Sequence, residues 1–386
     1  MERRQFLKHS FMVAAASAVI PEFITACQKN ESVKTACGIP VDRVWFREQS
    51  MIEVASHDQL LSLNLVSWPD SLLGFCKHPV SGDYYGFGFG DLGDIMRARF
   101  SVDGTSILEG IRVPMRDIND NWTGSGGPVY YHAATGMLLM VTHHEKYVPS
   151  DPTFFAHVTL RMAKSLDFGE TWTNLGLIID HNATDETDPN KALVMGNGGF
   201  ILKNEGGIEY MYVYHQDMQA TGVKNQLAVS RASVEDIVQA AQNNIAPTFH
   251  KWDGNGWIEP GIGGKSVDLM PDYTTWGVVG DFDPFYCEEL GKYVAFYPSQ
   301  IRGDVNPPTW NVLSVISNDA IHWKPATKVY QQDISGHDPI YTGVEAHNRV
   351  IKGCDVKLYR MYVTDTSSRW EFNKLDLVYM KMEELP

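Results

Sequence analysis

The chain has 386 residues, of which 44% are hydrophobic and 20% charged, with a net charge of −15 at pH 7. Lys and Arg are scattered with no basic stripe, which argues against a nucleic-acid partner, because phosphate binding needs clustered cations. Past the N-terminal segment no apolar stretch has the length needed to span a bilayer.

The first 27 residues read as a processing segment. Arg3 and Arg4, with Phe6, Leu7 and Lys8 behind them, precede the apolar stretch Phe11–Cys27 and resemble a twin-arginine export signal. Ile24-Thr25-Ala26-Cys27 resembles a bacterial lipobox, so lipidation is expected at Cys27. An acyl anchor would then hold a soluble domain at the bacterial cell envelope, in the periplasm or at the outer-membrane surface, with membrane contact through the lipid only. Residues 28–37 form a polar tether, and 38–386 form one domain.

Five segments of that domain share one plan. Each passes from a Gly-rich or acidic turn to an apolar strand, a polar turn and a second strand rich in Tyr, Phe and Met. They begin at Leu72, Gly124, Gly196, Gly280 and Gly343. Phe87, Met140, Tyr212, Ala295 and Tyr362 are equivalent points, a spacing of roughly 70 residues that five units nearly exhaust. A third strand follows several pairs. Short strands at regular spacing with Gly, Asn and Asp at the turns give an all-β fold. Radial repetition of four-stranded antiparallel sheets is the β-propeller, here with five blades; a β-sandwich is the alternative. A strand near Val44 to Glu53 is expected to close the fifth sheet, because closure removes an exposed edge. One helix is expected, over Ser233 to Asn243.

Cys76 and Cys287 fall inside strands and read as buried thiols. No Cys or His spacing suggests a metal or redox site. The chain is expected not to be stapled by cysteines. The stretch Phe249 to Ser266 is rich in Gly and Trp and reads as a loop at the rim or outer edge of a blade. Among the loop aromatics, Trp122 and Trp257 are candidates for stacking on sugars.

Inner strands surround the axis, and ligand sites favour such mouths. The turns entering the second and third units are small and uncharged. Those of the fourth and fifth carry Asp281, Asp283, Glu345 and His347, and Asp70 is the nearest acid in the first. Carboxylates from different units on one axis fit glycoside hydrolysis, which needs an acid and a base across the scissile bond. Asp283 and Glu345 are the expected catalytic pair, with Asp281 tuning them. His143, His144, His215 and His347 fall at strand ends, where a near-neutral pKa suits proton abstraction. His143, His215, Asp70 and Arg349 complete the expected substrate contacts.

The fifth unit, Gly343-Val344-Glu345-Ala346-His347-Asn348, resembles the Gly-x-Gly-His-Asn element of the five-bladed glycoside hydrolases of families 43, 62, 32 and 117. Asp283-Pro284-Phe285-Tyr286 is similar to that group's acid-Pro blade start, where the acid is catalytic. The resemblance implies hydrolysis with inversion, an axial role for His347, and a calcium ion or water near it; no cofactor is required. The second and third units lack the group's further axial acids. Ser165-Leu166-Asp167-Phe168-Gly169-Glu170-Thr171-Trp172 matches the S-x-D-x-G-x-x-W Asp-box of sialidase-like propellers, with a degraded copy from Ser317 to Trp323. That box is a turn between outer strands and marks the fold, not the chemistry. The expected protein is a glycoside hydrolase acting on a polysaccharide or oligosaccharide. A polysaccharide lyase using His and Tyr, a non-catalytic glycan-binding lipoprotein and a protein-binding propeller are the rivals. Sugar, linkage and oligomeric state stay open.

Overall fold

The computed structural model describes residues 37–38, 44–65, 68–69, 71–89, 94–113, 123–125, 127–147, 156–181, 198–218, 224–270, 279, 281–300, 310–325, 327–331, 338–366 and 369–384. Five antiparallel sheets form a five-bladed β-propeller. Blade 1 runs outward through Gly74–Lys77, Tyr84–Phe89, Ile95–Phe100 and Ile107–Val113. In blade 2 two short inner pieces, Thr123–Ser125 and Val129–His132, both pair with Met137–Tyr147. Ala156–Ser165 and Thr173–Ile179 follow. Blade 3 holds Phe200–Glu205, Ile208–Met218, Lys224–Ser233, His250–Lys251 and Glu259–Pro260. Blade 4 holds Asp283–Cys287, Lys292–Gln300, Trp310–Ser317 and Thr327–Gln331. Blade 5 holds Asp338–Val344, Asp355–Thr366 and Arg369–Glu384, and its outermost strand is Val44–Ser56. That early strand pairs from Val44 opposite Glu384 to Ser56 opposite Lys374, and so closes the ring where the sequence predicts.

The second strands read as continuous apolar runs because both their faces are covered. In Met137–Val141, Leu138 and Met140 pack toward Phe87 and Phe89 of blade 1, while Leu139 and Val141 pack toward Phe200, Met211 and Val213 of blade 3. Truncating one such Leu or Met costs about 2–5 kcal/mol. Outer turns lock the blades to each other. Asp167 accepts from the Thr171 N–H at 2.8 Å and the Thr171 hydroxyl at 2.6 Å, and Gly169 takes φ +86°. Trp172 then meets Phe87 edge-on at 5.9 Å. In the Ser317 turn, Asp319 accepts from the His322 N–H at 2.8 Å, and Trp323 packs on Phe282 at 5.1 Å. The helix Val234–Gln242 starts at the Ser233 N-cap, whose hydroxyl accepts from the Asp236 N–H at 3.0 Å.

Two expectations need correction. The inner strand of blade 5 is Asp338–Val344, so the Gly343 element ends an inner strand instead of preceding one. The expected strand after it is only Val350–Ile351, which pairs in parallel with Tyr286 and Cys287 of blade 4. The chain is also stapled after all: Cys37 and Cys354, 317 positions apart in sequence, form a disulfide with Cα atoms 6.3 Å apart. Cys76 and Cys287 are buried free thiols, as expected.

The disulfide ties the residues ahead of the closing strand to the last blade. Replacing Cys37 or Cys354 with Ser should lower stability by about 2–4 kcal/mol. The readout is the denaturant midpoint; an unchanged midpoint would mean that strand pairing alone holds the ring closed.

Candidate functional site

Each blade starts at the axis and steps outward, so the five inner strands run the same way. The end where they begin is the leading end, and the other is the trailing end. Part-way along, the five backbones meet. A Cβ on Gly74 would lie 2.6 Å from Pro128 Cα, and one on Gly343 would lie 2.5 Å from Leu73 Cβ. A Cβ on Gly199 would collide with the Phe282 carbonyl and lie 3.2 Å from Leu72 Cδ1, which reaches over from blade 1. Only glycine permits so close an approach. Leu72 is buried, and the axis is sealed at this level.

Asp283 belongs to that seal. It is fully buried; its carboxylate accepts from the Val344 N–H at 2.7 Å and is ion-paired to Arg349. Arg349 also donates through Nε to the Pro284 carbonyl at 2.8 Å. Burial pushes the Asp283 carboxyl up, to about 6, against the downward pull of Arg349 and of the Val344 N–H. Beyond the seal, the turn His347–Arg349 plugs the trailing end and touches the inner strands of blades 1 to 4. The Asn348 amide bonds both the Tyr131 N–H at 2.8 Å and the Tyr131 carbonyl at 2.9 Å. His347 Nδ1 accepts from the Lys77 N–H at 3.3 Å, and burial, with Lys77 nearby, lowers the His347 pKa.

The predicted carboxylate pair does not flank an opening. Glu345 follows the trailing end of its inner strand. There Lys357 Nζ, at 3.2 Å, and the Tyr359 hydroxyl, at 3.0 Å, hold it against the Gly104 turn of blade 1. Burial raises its pKa despite Lys357. Asp283 is inside the seal, and Asp281, half-buried, precedes it on the leading side. Arg349 is the partner of Asp283 and is closed to substrate. His347 is axial, as predicted, but on the plugged end. The Nδ1 side of His347 offers calcium, which takes six to eight oxygen ligands, no oxygen: it meets the Lys77 N–H and the Cys76 thiol. Among the described residues no group of three or more His, Cys, Asp and Glu gathers as a metal site. Asp70, Trp122 and Cys27 lie outside the described residues.

The strand-end histidines divide. His144 is buried, with Nε2 2.9 Å from the Thr142 hydroxyl, and burial depresses its pKa to about 3. His215 is buried, with Nε2 2.9 Å from the Ser230 hydroxyl, and burial, then Lys251, depresses its pKa to about 4. Both are fillers of blade seams. His143 instead stays half-buried on the leading side, opposite Ser125, with Nε2 3.0 Å from Glu145 Oε1. Trp257 lies away from the axis, packed at 5.0 Å on Tyr212 and 5.2 Å on Trp252 at the outer edge of blade 3. The loop that carries it is clamped by buried Lys251, which donates to the Asp180 and Gly264 carbonyls at 2.6 and 2.8 Å and to Asp217 at 3.0 Å.

Sequence reasoning missed Asp338-Pro339, which opens the inner strand of blade 5 as Asp283-Pro284 opens that of blade 4. The repeated acid-Pro dipeptide was the signal. It also missed Glu145 beside His143.

No model of a known protein family matches the chain, and no curated protein matches it. Among solved structures the fold is similar to that of a GH62 hydrolase in complex with xylotriose. The identity is 10% and the TM-score 0.51, over 86% of this chain and 97% of that one. It is also similar to the GH43 endo-arabinanase from Bacillus licheniformis, at 12% identity and TM-score 0.48, over 83% and 96%. Zg3597, a family 117 glycoside hydrolase of Zobellia galactanivorans, matches at 11% and 0.44, over 89% and 92%. The likeness to the GH62 hydrolase is one of fold alone: this chain is a five-bladed propeller.

Removing one member of a buried ion pair strands the other charge. Asp283→Asn and Arg349→Met should each cost roughly 3–5 kcal/mol, and the double change Asp283→Leu/Arg349→Met should recover part of it. Urea denaturation measures all three, and single variants as stable as the parent would contradict the pair's structural role.

His215 also sets a pH dependence. Its pKa falls from 6.5 to about 4 on folding, so its contribution is intact above pH 6.5 and lost as pH drops toward 4. The loss is about 3 kcal/mol. Asp283, shifted up, acts in the opposite sense between about 4 and 6, so the test is a comparison. His215→Asn should lose less stability than the parent between pH 6.5 and 4.5; parallel melting curves would refute the assignment.

Proposed function

We propose that the protein is an exported, lipid-anchored glycoside hydrolase acting on a polysaccharide or its oligosaccharides at the leading end of the axis. The observation that carries this reading is the one-sided axis. Among the described residues it is closed at Gly74, Gly199 and Gly343 and plugged on the trailing side by His347–Arg349, so a ligand is expected to approach from the leading side. The shared fold with a hydrolase bound to xylotriose supports a carbohydrate as the ligand. The Cys37–Cys354 disulfide supports an oxidising compartment, in keeping with the export signal and the lipid at Cys27.

In this reading Asp281 is one carboxylate of the pair and Asp70 the other. The Gly199 position meets both Leu72 Cδ1 and the Phe282 carbonyl, so Asp281 precedes the sealed level of the axis; Asp70 is proposed from its place in the sequence alone. One carboxyl protonates the leaving oxygen, and the other, ionised, activates water or attacks the sugar. Glu345 and Asp283 hold blades together in place of reacting.

A second reading, polysaccharide lyase, is favoured by the His143–Glu145 pair alone. There His143 would abstract a proton with Glu145 orienting the ring. Reducing-end release and ultraviolet absorbance, measured together on a panel of polysaccharides, separate the two. Hydrolysis gives reducing ends without absorbance. Asp281→Asn and Asp70→Asn should each lose at least about 10²-fold in rate, while Glu345→Gln should keep its activity. Absorbing products that vanish in His143→Ala would transfer the assignment to the lyase. Absence of turnover on every glycan would leave the binding-protein rival standing.

A further inference from the structure

We propose that the groove beside the helix Val234–Gln242 is a second carbohydrate site, which holds a stretch of uncharged polysaccharide away from the reacting end of the axis. The helix follows the third strand of blade 3, so the groove opens at the trailing, outer edge of that blade. Its volume is about 590 Å³, within the range of small-molecule sites.

One wall is aromatic. The Arg231 guanidinium is stacked between the Tyr210 ring at 4.2 Å and the Trp257 ring at 4.4 Å, and its Nη1 is tied to Glu205 and to the Tyr212 hydroxyl. The planar groups are thereby fixed before any ligand arrives, which lowers the entropic cost of binding. The other wall is the helix. Asp236 and Gln239 lie on one face of it and the C-cap Asn243 continues that face, each about one turn from the next and exposed. Asn243 also donates to the Gln239 carbonyl at 3.0 Å, and Asp236 accepts from the Ser233 hydroxyl at 2.5 Å. A turn is about 5 Å, close to the length of one sugar residue in an extended glycan. Amides and a carboxylate at that repeat can bond successive hydroxyls while the facing rings take the apolar C–H faces of the sugar.

Charge selects a neutral polymer over a uronate. Arg231 is already neutralised by Glu205, and Asp236 would repel an anion. A packing role explains Trp257 and Arg231, and an exposed helix face is polar in any case; the open groove between the two walls is what packing leaves unexplained. The choice of sugar as ligand rests on the carbohydrate reading above; the position of the site does not.

The test is electrophoresis of the full-length protein through native gels containing arabinoxylan, galactomannan, laminarin, linear arabinan or polygalacturonate. Retardation is expected in at least one of the four neutral gels. The exposed double variant Gln239→Ala/Asn243→Ala, which disturbs no core contact, should weaken that retardation at least fivefold, and Tyr210→Ala should do the same. Asp281→Asn should retain it. Equal retardation of parent and groove variants, retardation in polygalacturonate only, or none in any gel overturns the proposal. Groove-dependent retardation without turnover would sustain this site and remove the hydrolase reading. Turnover without groove-dependent retardation would do the reverse.

Discussion

The architecture depends on how closely five backbones can approach one axis. At the level of Gly74, Gly199 and Gly343 the neighbouring inner segments are in close contact, and a single methyl group would drive them apart. The fourth blade supplies Asp283 at this level. Its carboxylate fills the space that side-chain-free glycine leaves elsewhere and joins blade 4 to the Val344 N–H of blade 5. Arg349 makes that burial tolerable, because an isolated carboxylate in such a place would be neutralised. The seal and the pair are therefore one device: glycine permits the approach and the ion pair completes it.

From the seal follows the division of labour along the axis. The trailing side is spent on closure, with Asn348 bridged to Tyr131 and Glu345 held by Lys357 and Tyr359. These polar groups are engaged with the protein itself, and the raised pKa values of Glu345 and Tyr359 report burial, not readiness for proton transfer. Perturbed titration in a propeller is thus a poor guide to chemistry by itself. The leading side keeps partly exposed groups, Asp281 and the His143–Glu145 pair, where solvent and a ligand can reach them. Blade 3 adds a third region. Its long insertion is fixed by buried Lys251, and in being fixed it presents Trp257 to Arg231 at the outer edge instead of at the mouth.

Much of the fold was legible in the sequence because the signals are local. Paired strands at a repeat near 70 residues, Asp and Gly at the outer turns, the Ser233 cap and the β-rich run from Val44 each announce themselves within a few residues. Burial on both faces of each blade explains why second strands such as Met137–Val141 are continuously apolar. The short helix His57–Ser62 was missed, and the inner strand of blade 5 was misread because Gly343-Val344-Glu345 looks like the turns that precede other inner strands. The repeated acid-Pro at Asp338 and Asp283 marks the true starts.

The sequence by itself determined the number of blades and the chain segment that closes the ring, since these follow from periodicity and turn chemistry. Only the tertiary structure decided which acids are sealed and which stay exposed. Asp283 meets Arg349 and Val344 from the next blade, Lys251 meets Asp217 from two strands away and the Asp180 carbonyl of blade 2, and Cys37 finds Cys354 after 317 residues. No local pattern encodes such meetings: they arise when five similar units are wrapped around one axis, and the wrapping alone sets which side chains lose their water.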